Sequence, residues 1–421
     1  LRLQLSARLR RSAPRSAACA RAIALTTCVA LVTLAASSSH AFAQVRASTT
    51  ATYYRESGAN LSHQAITPSV RVSGVVRDVV SLRLGWDADV VSGASVAVVD
   101  APGGEVDAIT SATKWNDFRN NVTGGIGVRG EFTSLDVSYT WGRESDYRSH
   151  SFTITGRAEL FDRNTTLELG YGRGFDQVCN LAQPRAQEPV DRQRLPSSDG
   201  CFDADDRESL DLSLQTFRGG WTQAWTPIFA TQLSVSAQVI NGFQGNPYRA
   251  VWLGRAAAQE NHPENRVRYV GNLGARLWVQ PLRGALQLGG RVYRDTWDVF
   301  SVTAELAWEQ TLWEGLSVRL RGRYYNQTGA HFFSDDHGRA PRGQYFTGDR
   351  ELSPMSSWLA GGRVRLDLPA GDDGKVGPFA AFAIVGVFDM LFYDFREFRY
   401  GRREVPNDKG MLATLSLEAE F

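Results

Sequence analysis

The chain has 421 residues, 43% hydrophobic and 22% charged, with 46 basic against 45 acidic side chains. That near-balance gives no reason to expect nucleic acid as a partner. Beyond the leader described next, no segment offers the ~20 apolar residues of a spanning helix, so a membrane could be crossed only by a closed barrel of strands.

The N-terminus reads as an export address. Arg2, Arg8, Arg10, Arg11, Arg15 and Arg21 form a basic region, Ala22 to Ser37 is mostly apolar, and Ala41-Phe42-Ala43 fits a small-x-small cleavage site. Residues 1–43 are expected to be removed as a signal peptide, leaving 44–421 as a single barrel. Loss of six Arg and no acid changes the formal charge from +1 to 1 − 6 = −5. Of four cysteines, Cys179 and Cys201 remain. An even pair in an exported chain suggests one disulfide, and a bridge closing a loop of this size contributes roughly 3 kcal/mol.

Side chains on a strand alternate faces, and segments near ten residues long that alternate apolar with polar mark barrel strands. The first, Ala47 to Glu56, is weak. The second sets Ile66, Val70 and Val72 against Thr67, Ser69, Arg71 and Ser73. The third sets Val80, Leu82, Leu84, Trp86 and Ala88 against Ser81, Arg83, Gly85, Asp87 and Asp89. After a polar stretch, the fourth and fifth form a hairpin about Thr133-Ser134, and the sixth and seventh form another about Asp162-Arg163-Asn164. A loop is expected from Phe175 to Arg207. The eighth strand shows Leu210, Leu212 and Leu214 against Asp211, Ser213 and Gln215. The ninth carries Leu233, Val235, Ala237 and Val239; the tenth Val267, Tyr269, Leu273, Ala275 and Leu277; the eleventh Leu286, Leu288 and Val292.

The twelfth sets Val302, Ala304, Leu306 and Trp308 against Thr303, Glu305 and Glu309. The thirteenth is the sharpest, with Leu316, Val318, Leu320 and Tyr324 against Ser317, Arg319, Arg321 and Arg323. The fourteenth has Arg363, Arg365 and Asp367 on its polar side, and the fifteenth, Phe379 to Phe392, is apolar on both. The last, Gly410 to Phe421, has Met411, Ala413, Leu415, Leu417, Ala419 and Phe421 on one face; Leu412 alone breaks the polar face. The total of about sixteen is even, as bacterial single-chain barrels are. With periplasmic termini, the connections from even to odd strands are all short and every long one falls on the outer side. Aromatic residues gather near the expected strand ends, as interfacial girdles do.

The fold expected is therefore an all-β, up-and-down antiparallel transmembrane barrel. Tyr53-Tyr54-Arg55-Glu56, Asp89-Val90-Val91-Ser92-Gly93-Ala94-Ser95, Asn246-Pro247-Tyr248-Arg249 and His262-Pro263-Glu264-Asn265-Arg266 resemble the DUF3570 family of bacterial outer-membrane barrels. The resemblance implies an outer-membrane location and no established activity.

Candidate lumen-lining residues are Arg83, Asp87, Asp89, Glu305, Glu309, Arg319, Arg321, Arg323, Arg363, Arg365 and Asp367. The interior list extends to Asp211, Glu131, Asp389, Arg276 and Arg291, among others. Unpaired charge cannot stay in a dry core, so either water fills the lumen or the charges pair. Strands thirteen and fourteen place five Arg side by side, an expected anion-attracting ladder countered in part by Glu305 and Asp367. A passive channel is the first reading, with outer-membrane lipid and small solutes or ions as partners. A structural or surface-binding barrel with an occluded lumen is the alternative. An outer-loop hydrolase using residues such as Ser334-Asp335-Asp336-His337 ranks last, because no hydrolase, phosphate-loop or metal motif stands out. No enzyme activity, cofactor or metal is expected. Phe421 and Leu417 are the candidate signal to the barrel-assembly machinery.

Overall fold

Alternation with period two suits a wall that faces an apolar medium on one side and a polar one on the other. The computed structural model describes residues 44–57, 62–93, 116–181, 202, 207–247, 250–252, 257–334, 337, 343–369, 371, 374–396, 398–400, 403–404 and 408–421. The expected leader, residues 1–43, lies outside them. Sixteen strands close one antiparallel barrel. They are β1 (Gln44–Ser57), β2 (Ser62–Val76), β3 (Val80–Gly93), β4 (Asn116–Arg129), β5 (Thr133–Arg143), β6 (Tyr147–Leu160), β7 (Thr165–Leu181) and β8 (Arg207–Thr226). The second half comprises β9 (Phe229–Gly242), β10 (Asn265–Val279), β11 (Gly284–Asp295), β12 (Phe300–Trp313), β13 (Leu316–Gln327), β14 (Met355–Asp367), β15 (Ala381–Asp394) and β16 (Asp408–Glu420). The ring closes where β1 pairs with β16, Arg46 opposite Glu420 and Tyr53 opposite Ala413.

Register decides which residues share a face. Leu84, Leu169 and Leu320 point outward and are 64%, 73% and 64% exposed. A continuous apolar belt of this kind is stable only against lipid, and closure leaves no strand edge unpaired there. Among the described residues no helix is long and apolar enough to cross a membrane.

The connections sort by end. At one end they are short, such as 77–79, 130–132 and 314–315, and the longest is 368–380. The other end carries 94–115, 182–206, 243–264, 328–354 and 395–407. These are called the turn end and the loop end.

Three local expectations are corrected. The β4–β5 turn is Gly130–Phe132, closed by Gly130 N–H donating to the Thr133 carbonyl at 2.7 Å. Thr133 and Ser134 already belong to β5, because the flexible Gly130 and the solvated Glu131 take the turn and the β-branched Thr133 suits the strand. Glu131 is thus an exposed turn residue and not a lumen one.

The second correction concerns β7 and β8, which run on as a ladder from Thr165↔Gln223 to Leu181↔Arg207, so that residues 175–181 of the expected loop belong to β7 and the connection narrows to 182–206. The third concerns which way β8 faces. Leu214 shares the inward face of Gly174 and Gly220, so Leu210, Leu212 and Leu214 point inward and Asp211 outward. Phe217 and Trp221 carry the lipid face of this strand instead. Its apolar parity changes between Leu214 and Phe217 without a bulge. Toward the loop end of β8 the outward Asp211 is exposed, while the inward Leu210, Leu212 and Leu214 are half-buried.

Candidate functional site

The inward wall divides into two sectors. On β12–β16 the charges are paired across strands. Arg319 Nη2 lies 3.3 Å from Glu305 Oε1. Arg363 Nη2 reaches past β13 to Glu309 Oε2 at 3.1 Å. Arg365 bonds Glu418 Oε2 at 2.7 Å and its own strand's Asp367 at 2.8 Å. Arg321 grips Asp389 with two parallel bonds, Nε to Oδ1 at 3.0 Å and Nη2 to Oδ2 at 2.5 Å. Such bidentate pairs are the strong ones. Arg323 sits opposite Glu305 in the ladder and is also engaged. The five-arginine ladder is therefore largely neutralised by neighbouring carboxylates.

Glycine makes the longest of these contacts possible. Arg321, Gly361 and Asp389 occupy one row across β13, β14 and β15. A Cβ on Gly361 would stand 1.9 Å from Asp389 Oδ1 and 2.6 Å from the Phe388 carbonyl oxygen. The missing side chain leaves the corridor through which the guanidinium meets the carboxylate. Arg83 reaches Asp136 in the same manner across β4, at 2.5 Å, where a Cβ on Gly127 would collide with Asp136. Asp87 accepts from Asn121 Nδ2 at 2.8 Å and Asp89 from Thr67 Oγ1 at 2.7 Å.

The second sector is β2–β11. Arg71, Arg83, Arg157, Gln232 and Arg276 face inward by register, yet all are exposed. Asp389, Leu391 and Ala383 on β15 also face inward and are buried.

At the loop end one segment folds onto β14–β16 and β1. Residues 328–354 end in a short 3-10 turn, Arg350–Leu352, begun by Asp349 accepting from Glu351 N–H. Arg350 Nη1 donates to Asp408 Oδ2 at 2.7 Å and Nη2 to Glu56 Oε1 at 2.6 Å, which joins this loop to β16 and β1 across the seam of the barrel. Its side chain is 5% exposed. Burial opposes the charge on Arg350, and the Glu56, Glu351 and Asp408 carboxylates together more than offset it, so its pKa is raised. Beneath it Tyr54, Met355, Leu359, Leu391 and Tyr393 form a small core, with Leu412 packed against it. That contact explains the one apolar residue on the polar face of β16. Gln327 Nε2 secures the loop from below, donating to the Glu351 and Ser353 carbonyls at 2.7 Å each.

The same loop packs sideways. Thr347 Oγ1 donates to Glu260 Oε2 at 2.8 Å. Trp297, Phe332 and His262 meet ring to ring at 5.1–5.3 Å, and Arg266, bound to Asp295, lies 3.9 Å over the Trp297 ring. In the Ser334–His337 run, buried His337 donates Nε2–H to the Thr347 carbonyl at 2.9 Å; Asp335 and Asp336 lie outside the described residues. No group of His, Cys, Asp and Glu among the described residues could hold a metal ion. Cys179 is buried and disulfide-bonded, and Cys201 lies outside the described residues.

Sequence reasoning missed Arg350, Glu56 and Asp408. Nothing local marks them, because Arg350 sits in a polar loop and its partner Glu56 is 294 positions away.

Closed barrel, outward apolar belt, inward charge and sorted connections together define a large transmembrane β-barrel. The chain belongs to the family described as "Protein of unknown function (DUF3570)", which it matches over residues 15–377. No curated protein matches its sequence. Among solved structures it is similar to a bacterial polysaccharide outer membrane secretin at 8% identity and TM-score 0.47, covering 91% of this chain and 99% of that one. It is also similar to the siderophore receptor PirA from Acinetobacter baumannii at 10% identity and TM-score 0.43, covering 86% of this chain and 57% of the receptor. OccD3 (OpdP) of Pseudomonas aeruginosa aligns at 10% identity and TM-score 0.42, covering 89% and 91%. These likenesses assign no activity to the chain.

Proposed function

We propose that the protein is a passive diffusion channel of the bacterial outer membrane, with its termini on the periplasmic side. Exposure of the inward-facing Arg71, Arg83, Arg157, Gln232 and Arg276 carries this reading. Charged side chains exposed inside a closed wall require water there, and barrels of about 16 strands leave an aqueous bore. In planar bilayers the purified barrel is expected to give discrete conductance steps. A folded barrel that never conducts would favour the alternative, a structural or surface-binding barrel with an occluded lumen. The buried inward residues of β15, Ala383, Asp389 and Leu391, and the docked 328–354 loop are the features that speak for that alternative.

Delivery to this membrane would rest on the leader and on the C-terminus. Phe421 N–H donates to the Val45 carbonyl at 2.9 Å, and its ring stands 5.1 Å from that of Phe379. Leu417 lies on the same outward face. Deleting Phe421 is expected to lower the amount of heat-resistant barrel recovered from outer membranes; recovery at the wild-type level would remove Phe421 from the assembly signal.

A further inference from the structure

Charge on the outer, lipid-facing side of the barrel is divided unevenly between its two ends. In the turn-end half of each of the sixteen strands, register turns only uncharged side chains outward. The loop-end half differs. There Arg55, Arg143, Arg148, Arg294 and Lys409, among others, face outward, and the outward acids are Asp211 and Asp394. Basic side chains on a lipid face are costly at mid-depth and tolerated near the interface.

The seam where β1 meets β16 gathers part of this charge. Arg55 stands opposite Met411 and Lys409 opposite Ser57, so the two basic residues are diagonal neighbours on the outer face. Side chains of their length reach each other across that diagonal. Both are exposed. Just past the end of β15, the exposed Arg396 donates to Ser356 Oγ at 3.3 Å, and its Nε lies 3.5 Å from Asp394 Oδ2. Asp394 is the one outward acid on β1, β15 and β16. Like charges side by side at the edge of a low-dielectric layer repel, and an anion of more than one charge between them offsets that repulsion.

Apolar rings adjoin these cations. Phe392 stands opposite Lys409 on one side and Trp358 on the other, and Tyr53 lies one outward position below Arg55. Phe392 and Trp358 are 41% and 61% exposed, and the Tyr324 ring lies 4.6 Å from that of Trp358. Aromatic rings of this kind mark the headgroup boundary. Long basic side chains at such a boundary keep their charged ends in the headgroup layer.

We propose that this corner, Arg55, Lys409 and Arg396 beside Phe392 and Trp358, binds lipopolysaccharide, with the basic groups on its lipid A phosphates and the rings against its acyl chains. A phosphate monoester carries more than one negative charge near neutrality and several acceptor oxygens, and a guanidinium meets it through two parallel bonds. Restriction of outward charge to the loop end favours a lipid of one leaflet over a phospholipid present in both. The proposal rests on the periplasmic placement of the termini proposed above and is independent of conduction.

The test is native mass spectrometry of the purified barrel with bisphosphorylated lipid A, the same lipid A stripped of its phosphates, and phosphatidylglycerol. The wild type should bind the first roughly tenfold or more tightly than the other two, as the loss of one charge-assisted contact implies. Arg55→Gln together with Lys409→Gln should remove most of that preference, and Arg77→Gln at the turn end should leave it intact. Heat-resistant migration on gels establishes folding, and the comparison of lipids on the wild type stands even if the double variant does not fold. Equal binding of lipid A with and without phosphate overturns the inference. So does phosphatidylglycerol bound as tightly as lipid A, or a folded double variant that binds like the wild type. Separately, a thiol introduced by Ser57→Cys should react with a membrane-impermeant maleimide on intact cells. Reaction only after lysis overturns the orientation and the inference together, whereas reaction on intact cells without a lipid A preference overturns the inference alone.

Discussion

Replacing Arg350 by Ala is expected to release the 328–354 loop from the barrel mouth. The guanidinium joins Glu56 on β1 to Asp408 on β16, and all three side chains are buried. Removing one partner of a buried ion pair leaves the other charge uncompensated and costs about 3–5 kcal/mol. Here two carboxylates lose the same partner. Among its described residues the loop has no strand pairing to the barrel wall, so the loss should fall on its docking before it falls on the wall. Limited proteolysis should then cut within 328–354 at a protease concentration that leaves the wild type intact, and single-channel conductance should rise. Neutralising the carboxylates in the same chain, with Glu56→Gln and Asp408→Asn, should recover part of the docking, because the penalty comes from stranded charge. A loop equally resistant in Arg350→Ala would show that the Trp297–Phe332–His262 contacts and the Glu260–Thr347 bond hold it without the arginine.

Gly361→Ala should destabilise the barrel wall itself. The added Cβ would stand 1.9 Å from Asp389 Oδ1 and 2.6 Å from a backbone carbonyl oxygen, so both the side chain and the strand must move. Asp389 is 1% exposed and depends on Arg321. Losing that bidentate pair inside the wall again costs about 3–5 kcal/mol. The expected result is a clear fall in the temperature at which the folded, fast-migrating band is lost on gels. Gly290→Ala provides the contrast: a Cβ there meets nothing within 4 Å, and the melting behaviour should be unchanged. Equal effects from the two substitutions would mean that strand glycines act through backbone freedom alone and not through the corridor they leave for Arg321.

Most of the wall was legible in the sequence, since a lipid-facing strand must alternate and a one-residue slip would turn every apolar side chain to the wrong side. Leu316, Val318 and Leu320 against Arg319 and Arg321 fix the register of β13 without any structure. Closure followed as well, because lipid tolerates no unpaired strand edge. The alternation failed along one strand: Leu210, Leu212 and Leu214 read as a lipid face, but the register of β8 turns them inward, while Phe217 and Trp221 further along face lipid.

Period two says which face a charge takes and nothing about its partner on another strand. Only the tertiary structure decided that the β13–β14 arginines are paired with carboxylates on other strands and that glycine opens the path from Arg321 to Asp389. The docking of Arg350 was likewise decided in three dimensions, because its two carboxylates come from the first and last strands and meet only when the ring closes. The sequence by itself determined the barrel and its faces, through the demand that backbone groups be satisfied in lipid. The folded wall determined its electrostatics, through distances that no local pattern encodes.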